Sequence, residues 1–416
     1  MRIITLLNKC HKIKGFVYKK ANFINNGENE IEVNIVPRKN SKGRCPACDK
    51  LCPGYDKLPE RRFEFIPVWG FLIFLIYARR RVKCNVHGII AEELPWARGK
   101  NHLTNAYMQY LAHWAKKLSW KEVANSFKTS WEKVFRSVEY IVSWGLEHRD
   151  LSGISAIGVD EILWHKGHKY LTLVYQINAE CTRLIWIGNE RTEKTFQQFF
   201  DFLGKERIAL LEYICSDMWK PYLKIIKRNA EEAIHILDRF HIVARLNKAL
   251  DKVRAQEHRQ MIQDGYDAIL TKARWLLLKR PENLTEAQEI KLKDLLKYNL
   301  KSLRAYLLKE EFQLLWNYAS PVWAGKFIDQ WITRVMRSKI EPLKKEAQTI
   351  KRHKELILNW FRAKKLFSSG VVEGLNNKVK LTVRKSYGFR TFKCTEIALY
   401  HSLGKLPEPK MTHKFY

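Results

Sequence analysis

Between Ile154 and His241 the order of apolar runs leaves few folds open. Ile154 to Leu163, Lys169 to Ile177 and Cys181 to Ile187 are rich in β-branched and aromatic residues and are parted by short polar turns, which predicts three consecutive strands. Thr192 to Leu203 has helical spacing, Ala209 to Cys215 predicts a fourth strand, a helix starts near Met218, and Ala233 to Leu237 predicts a fifth strand. A sheet threaded in this order is covered by helices and releases its strand-end side chains into a shared cleft.

Three strands, helix, strand, helix, strand is the order of an RNase H-like α/β core. Asp160 follows the apolar run Ile157-Gly158-Val159, and its neighbour Glu161 should point to the opposite face. Asp217 follows Tyr213-Ile214-Cys215-Ser216. A third carboxylate, Glu373, lies in the stretch from Phe367 to Arg390. There Val372, Leu375, Val379 and Val383 form one apolar helical stripe, and Glu373, Asn377, Lys380 and Arg384 form a second beside it. An ordinary amphipathic helix with a solvated flank would read the same way. Two aspartates at strand ends and a glutamate on a helix can instead hold two divalent ions, and oxygen-only ligands suit Mg²⁺ or Mn²⁺. Such a pair serves in-line phosphodiester displacement.

The charge balance favours that chemistry. The chain of 416 residues carries 75 Lys and Arg against 43 Asp and Glu, a formal charge of +32, which calls for a polyanionic partner, with nucleic acid ahead of an anionic membrane. Hydrophobic content of 46% with 14 Trp indicates folded domains rather than a basic tail. Met1 to Phe16 lacks the apolar core of a secretory signal, and the run Phe63 to Ala78 is interrupted by Glu64, Pro67 and Gly70, so no membrane span is expected. Eight cysteines in such a chain suggest reduced thiols in the cytoplasm.

Toward the amino terminus, Gly15 to Phe23 and Glu30 to Val36 predict two strands around an Asn26-Gly27 turn. Cys45-Pro-Ala-Cys48 and Cys84-Asn-Val-His87 are two ligand pairs with two-residue spacers, the pattern of a structural zinc site, with Cys52 as a competing ligand. Arg79, Arg80 and Arg81 lead into the second pair as phosphate contacts. From Leu103 to Leu146 the period is helical. Ser119-Trp-Lys-Glu122 and Thr129-Ser-Trp-Glu132 both fit capping boxes, which suggests a helix-turn-helix with Lys133 and Arg136 facing DNA; helical hairpins without a DNA role share this pattern. Residues 245–365 read as an all-α insertion, rich in Leu, Lys, Arg, Ala and Glu.

Several of these stretches resemble DDE transposases of the ISL3 type of insertion sequence. They are Ile157-Gly-Val-Asp160-Glu161, Ser216-Asp217-Met-Trp219-Lys-Pro-Tyr222, Asp238-Arg-Phe-His241, and Ser369-Gly-Val-Val-Glu373-Gly-Leu-Asn-Asn-Lys378 running on to Gly388-Phe-Arg390. The resemblance extends from about Cys45 to Leu403 and includes the amino-terminal Cys-x-x-Cys and the helical pair. It implies Asp160, Asp217 and Glu373 as a catalytic triad. It further implies an RNase H-like fold interrupted by a helical insertion, and binding to terminal inverted repeats. His87 departs from the cysteine expected there, although histidine keeps a zinc site viable. Asp238 and His241 either contact DNA near the scissile phosphate or are a helix cap and a packed histidine. Trp219 either stacks on a flipped base or belongs to the core.

The expected organisation is a zinc-binding β-rich module over 1–100, a helix-turn-helix over 101–150, and a catalytic core over 151–244 and 366–416 split by the insertion. Lys380, Arg384, Lys385 and Arg390 would grip the DNA backbone. A dimer on DNA, with bacterial-type nucleoid association, would join two element ends by strand cleavage and transfer. A transposase-derived DNA-binding protein without catalysis, or a general RNase H-like nuclease, are the other readings.

Overall fold

The computed structural model describes residues 2–25, 29–165, 167, 169–267, 269–298, 300–366 and 369–410. The chain divides into two compact units, Met1–Asp150 with Leu381–Tyr416, and Leu151–Lys380. The expected Asn26-Gly27 turn and the first two residues of the Phe367 to Arg390 stretch lie outside the described residues.

The first unit begins with a helix, α1 (Ile3–Cys10), that the sequence reading did not anticipate. Strands β1 (Phe16–Asn25) and β2 (Asn29–Pro37) pair antiparallel as expected. Two short strands, β3 (Gly43–Arg44) and β4 (Leu51–Cys52), pair with each other. The apolar run near Phe63 is a hairpin of two long strands, β5 (Gly54–Val68) and β6 (Phe71–Cys84), closed by Trp69 and Gly70 at φ 50° and 83°. Two consecutive positive φ values are those of the tight turn whose twist matches paired strands, and glycine takes one of them without strain. Strand β7 (Gly88–Ala91) joins the edge of β6. No helix of the described residues is long and apolar enough to cross a membrane.

Three helices follow: α2 (Asn105–Ala115), α3 (Trp120–Ser126) and α4 (Trp131–Glu147). Helix α3 has the predicted capping box, with the Ser119 hydroxyl accepting from Glu122 N and the Glu122 carboxylate returning to Ser119 N. Helix α4 differs. Its cap is Ser130, which accepts from Lys133 N, and not Thr129, so Glu132 sits one position too early to close a box.

In the second unit, strands β8 (Ala156–His165), β9 (Lys169–Ile177) and β10 (Thr182–Asn189) form an antiparallel meander. Helix α5 (Glu193–Leu203) stops at Gly204, whose φ of 78° favours glycine; the short α6 (Lys205–Ile208) follows, and a turn at Ala209 and Leu210 takes the start of the expected fourth strand. That strand, β11, is therefore only Tyr213–Ser216. Helix α7 (Lys220–Asn229) and strand β12 (Ile234–Leu237) complete a five-stranded sheet of order β10-β9-β8-β11-β12, with β8, β11 and β12 parallel. Ile157, Val159 and Ile214 from the sheet pack against Phe196, Phe199 and Phe200 of α5 and Tyr222, Ile225 and Ile226 of α7.

The insertion is helical throughout its main elements: α8 (Arg239–Gln263), α9 (Arg274–Leu278), α10 (Glu286–Leu295), α11 (Lys301–Gln313), α12 (Pro321–Arg337), α13 (Glu341–Arg352) and α14 (Lys354–Arg362). Helix α15 (Ser369–Lys385) follows, and buries Val372, Leu375 and Val379 as the stripe predicts. Residues beyond Lys380 group with the first unit. Phe389 lies against Trp120 with ring centroids 5.2 Å apart, and helix α16 (Phe392–Leu403) packs on α4.

Candidate active site and metal centre

Strand register brings the aspartates together. In the parallel pairing of β11 with β8, Cys215 lies opposite Gly158, so Asp217 and Asp160 each come two residues further on. In the pairing of β11 with β12, Ser216 lies opposite Leu237, which sets Asp238 beside Asp217. Asp217 and Asp238 follow their strands directly, whereas Asp160 sits inside the longer β8, just beyond the part that β11 covers. Burial raises the carboxyl groups of Asp160 and Asp217 above the usual range, the negative charge of Asp238 adds to this, and His241 opposes it.

Each carboxylate is held. Asp160 Oδ1 accepts from Glu161 N at 2.8 Å and Oδ2 from Asn376 Nδ2 at 2.5 Å. Asp217 Oδ1 accepts from Trp219 N at 2.9 Å, while the Arg191 guanidinium reaches Oδ2 at 3.5 Å. The same guanidinium pairs with Glu161 at 2.7 Å and lies 4.2 Å from the Trp219 ring centre. Glu161 does face away from Asp160, toward Arg191 and α7. Burial, with Asp217 second, pushes its carboxyl up to about 7. Trp219 packs on the core cluster and edge-on to Tyr222, as a core tryptophan would.

Asp238 caps α8 by accepting from Phe240 N at 2.7 Å, and His241 Nε2 stands 3.7 Å from its other oxygen. The cap is thus real, but the histidine is partly exposed and its charge acts on both Asp160 and Asp217, so it is not simply packed away.

Glu373 is exposed on α15. It does not join Asp160 and Asp217 in one tight ligand group; among the described residues only Cys45, Cys48, Cys84 and His87 form such a group. Its helix is nonetheless fixed to β8. A Cβ built on Gly158 would lie 2.4 Å from Val372 Cγ2, so the helix rests where only a glycine leaves room. Asn376, one turn beyond Glu373, is buried, donates to Asp160 and accepts from Tyr175 Oη at 2.6 Å. The residues missed from sequence were Arg191 and Asn376. Asn376 had a signal, since it stands four residues after Val372 and three before Val379, inside the apolar stripe.

The four predicted zinc ligands converge, with all ligand atoms within 4.8 Å of one another. Cys48 Sγ and Cys84 Sγ are 3.7 Å apart, and His87 Nδ1 is 3.5 Å from Cys45 Sγ and 3.6 Å from Cys84 Sγ. With Zn–S about 2.3 Å and Zn–N about 2.0 Å, a tetrahedron has edges of about 3.8 Å and about 3.5 Å, so the cage has the dimensions of zinc. Amides of Val86 and His87 aimed at Cys84, with the His87 ring, lower its thiol to about 6. Cys52 is buried beside them but donates to Lys50 O at 3.4 Å and stays outside the group. All eight cysteines are free thiols.

The predicted DNA contacts separate into two kinds. Arg80 is paired with the buried Glu92, Arg79 Nε donates to Glu92 O, and Arg81 is paired with Asp56, so these three brace the first sheet. Lys133 is paired with Glu64. Lys385 Nζ donates to Ala115 O and Lys116 O at 3.3 Å, capping the carboxyl end of α2. Arg136, Lys380, Arg384 and Arg390 are exposed.

A family model described as a transposase, for DDE transposases of the ISL3 type, matches residues 157–399. The chain is 29% identical over 349 residues to the transposase for insertion sequence element IS1001 of Bordetella parapertussis, covering 83% of this chain and 85% of that relative. It is 30% identical over 384 residues to the transposase for insertion sequence element IS1557 from two strains of Mycobacterium tuberculosis, covering 86% and 85%. The matched span takes in the register-aligned aspartates, the insertion and α15, and the chain belongs to the ISL3 family of DDE transposases.

Proposed function

We propose that this transposase cuts and joins DNA at the ends of its own insertion sequence, with Asp160, Asp217 and Glu373 as the metal-holding triad of an RNase H-like core. The observation that carries the reading is the docking of α15 on β8: Val372 against Gly158 and Asn376 on Asp160 tie the helix of Glu373 to the strand of the first aspartate. The strand order β10-β9-β8-β11-β12 fits that core. Carboxylate oxygens are the donors that Mg²⁺ or Mn²⁺ takes, and two crowded aspartates with raised carboxyl groups are relieved by a divalent cation. A bound pair of such ions would supply the charge that activates the attacking oxygen and stabilises the leaving one. The chain's own part is to fix the carboxylates: Asn376 and Glu161 N orient Asp160, and Trp219 N and Arg191 orient Asp217. Asp238 and His241, at the same edge of the sheet, would position the scissile phosphate.

The first unit would read the terminal inverted repeat through its zinc module and through α3 and α4 acting as a helix-turn-helix, with Arg136 facing DNA. Lys380, Arg384 and Arg390 would hold phosphates, giving binding that weakens steeply with salt. Two ends must be joined, which calls for a dimer on DNA, working at the nucleoid. The test is Mg²⁺-dependent cleavage of labelled element-end duplex. Wild type should nick at the element boundary and Glu373→Gln should bind equally without cutting. Tight, repeat-specific binding without cleavage by wild type would sink the enzymatic reading in favour of a DNA-binding protein.

A further inference from the structure

The first sheet has two unlike ends. The end that carries the Cys3His cage exposes Lys42, Lys50 and Lys83. The opposite end is made by the tips of two hairpins, because β2 and β6 run parallel with Glu30 opposite Leu72. Phe23 of one hairpin meets Phe71 of the other edge-on, with ring centroids 5.7 Å apart. Residues 21–37 and 63–78, which form this end and run into the middle of the sheet, contain no Lys or Arg, although the chain holds 75 of them. Arg62 reaches in to pair with Glu30 at 2.8 Å and Glu32 at 3.1 Å, and Lys133 pairs with Glu64. The end therefore has no surplus of positive charge in a chain of +32.

The same end displays aromatic surface. Trp69 is 80% and Phe23 72% exposed, and Val68, Phe71 and Leu72 around them are half-buried. Trp69 also holds a φ of 50°. A bulky side chain is strained there, whereas asparagine before glycine would form the same turn readily. A strained backbone that holds a large apolar group out in water is a feature to be explained by function.

DNA does not suit this end, because an aromatic wedge needs cations beside it to hold the flanking phosphates. A second copy of the chain does. Two chains of +32 repel, and they approach most easily through ends without surplus cations, which leaves their basic surfaces farther apart than the screening length of about 10 Å. An apolar patch is also self-complementary, as a two-fold contact requires. Aromatic side chains bury about 150–250 Å² each, so Phe23, Trp69 and Phe71 can form the core of an interface that takes roughly 800 Å² from each partner. We infer that two copies of this chain meet through the Phe23–Trp69–Phe71 end of the first sheet, and do so without DNA. This gives the dimer of the proposed function a surface, and it rests on that reading only for what the dimer is for.

The test is sedimentation equilibrium of the full, nuclease-treated chain. Wild type should form dimers, and added salt should tighten them by screening the repulsion between the two chains. Trp69→Asn keeps the turn and should weaken self-association roughly 100-fold or more, since the contact is used twice. Phe23→Thr, which suits a strand, should weaken it as well, and both variants should keep the circular dichroism of wild type. A wild type that stays monomeric at every salt concentration overturns the inference, as does a dimer that salt dissociates or that Trp69→Asn leaves unchanged. Loss of element-end affinity in Trp69→Asn with self-association intact would assign the end to DNA and overturn it too. None of these readouts uses cleavage, so a failure of the proposed chemistry is seen separately.

Discussion

Asn376 Nδ2 donates to Asp160 Oδ2 at 2.5 Å, and Tyr175 Oη, wholly buried, donates to Asn376 Oδ1 at 2.6 Å. The amide is thereby fixed in one orientation, with its N–H turned to the carboxylate, and it couples α15 to the middle of the sheet. A hydrogen bond to a charged group contributes about 1.5–3 kcal/mol. Asn376→Ala should therefore lower element-end cleavage roughly 10- to 150-fold, with gel-shift affinity for the same DNA unchanged. Asn376→Asp should be worse, since it sets a second carboxylate against Asp160. Cleavage by Asn376→Asp at wild-type rate would contradict the assignment.

Gly158 and Val372 allow a test of docking by steric rescue. A methyl group on residue 158 would meet Val372 Cγ2 at 2.4 Å, well inside contact distance. Overpacking of this kind costs about 1–3 kcal/mol. Gly158→Ala should lower the urea midpoint and abolish most cleavage by pushing out the helix of Glu373. Adding Val372→Ala removes the obstructing methyl groups and should restore part of both. Independent, additive losses in the double variant would show that the two residues do not meet in solution.

Much of this site could be read along the chain because its parts follow local rules. Asp217 and Asp238 end short buried strands, so their placement follows from strand length, and parallel register then sets them side by side. The apolar stripe of α15 gave the face that docks. Arg191 was invisible because nothing periodic marks it: it follows Glu190, a residue with φ 77°, in the turn after β10, and meets Glu161 and Asp217 only through the fold. The protein partners of the basic residues were hidden for the same reason. Arg80 and Lys385 read as a basic run, but partners distant in sequence, Glu92 and the end of α2, claim them.

His235 predicts how stability depends on acid. It is buried on β12, bonded through Nε2 to Ser216 Oγ at 2.8 Å, and burial lowers its pKa to about 4, with the charge of His353 adding to the effect. The unfolded chain then binds more protons below about pH 6.5, so stability rises with pH in that window. The contribution is complete above pH 6.5 and is lost as pH falls toward 4, by up to about 3 kcal/mol. Urea unfolding of wild type should show this slope between pH 7 and pH 5, and His235→Asn should lessen it, leaving the share of His11 and His401, which burial lowers as well. An unchanged slope in the variant would move the effect to other groups.

The Cys3His cage makes the sharpest prediction for the first unit. Three pairs among its four ligands stand 3.5–3.7 Å apart, as in a zinc tetrahedron, and Cys52 stays outside the group, although it is buried next to them and one residue pair could be misassigned from sequence alone. Purified protein should carry one zinc per chain by mass spectrometry. Cys45→Ser should lose it, Cys52→Ser should keep it, and His87→Cys should retain a tetrahedral site. Cobalt substitution should give the intense visible bands of a tetrahedral ion bound by three thiolates and one imidazole. Structural zinc contributes about 10–16 kcal/mol of apparent binding energy, comparable to or above the net stability of a whole domain at about 5–15 kcal/mol. Chelation should therefore unfold the module around β3, β4 and the end of β6 and abolish recognition of the terminal repeat. Loss of zinc from Cys52→Ser but not from Cys45→Ser would reassign the cage.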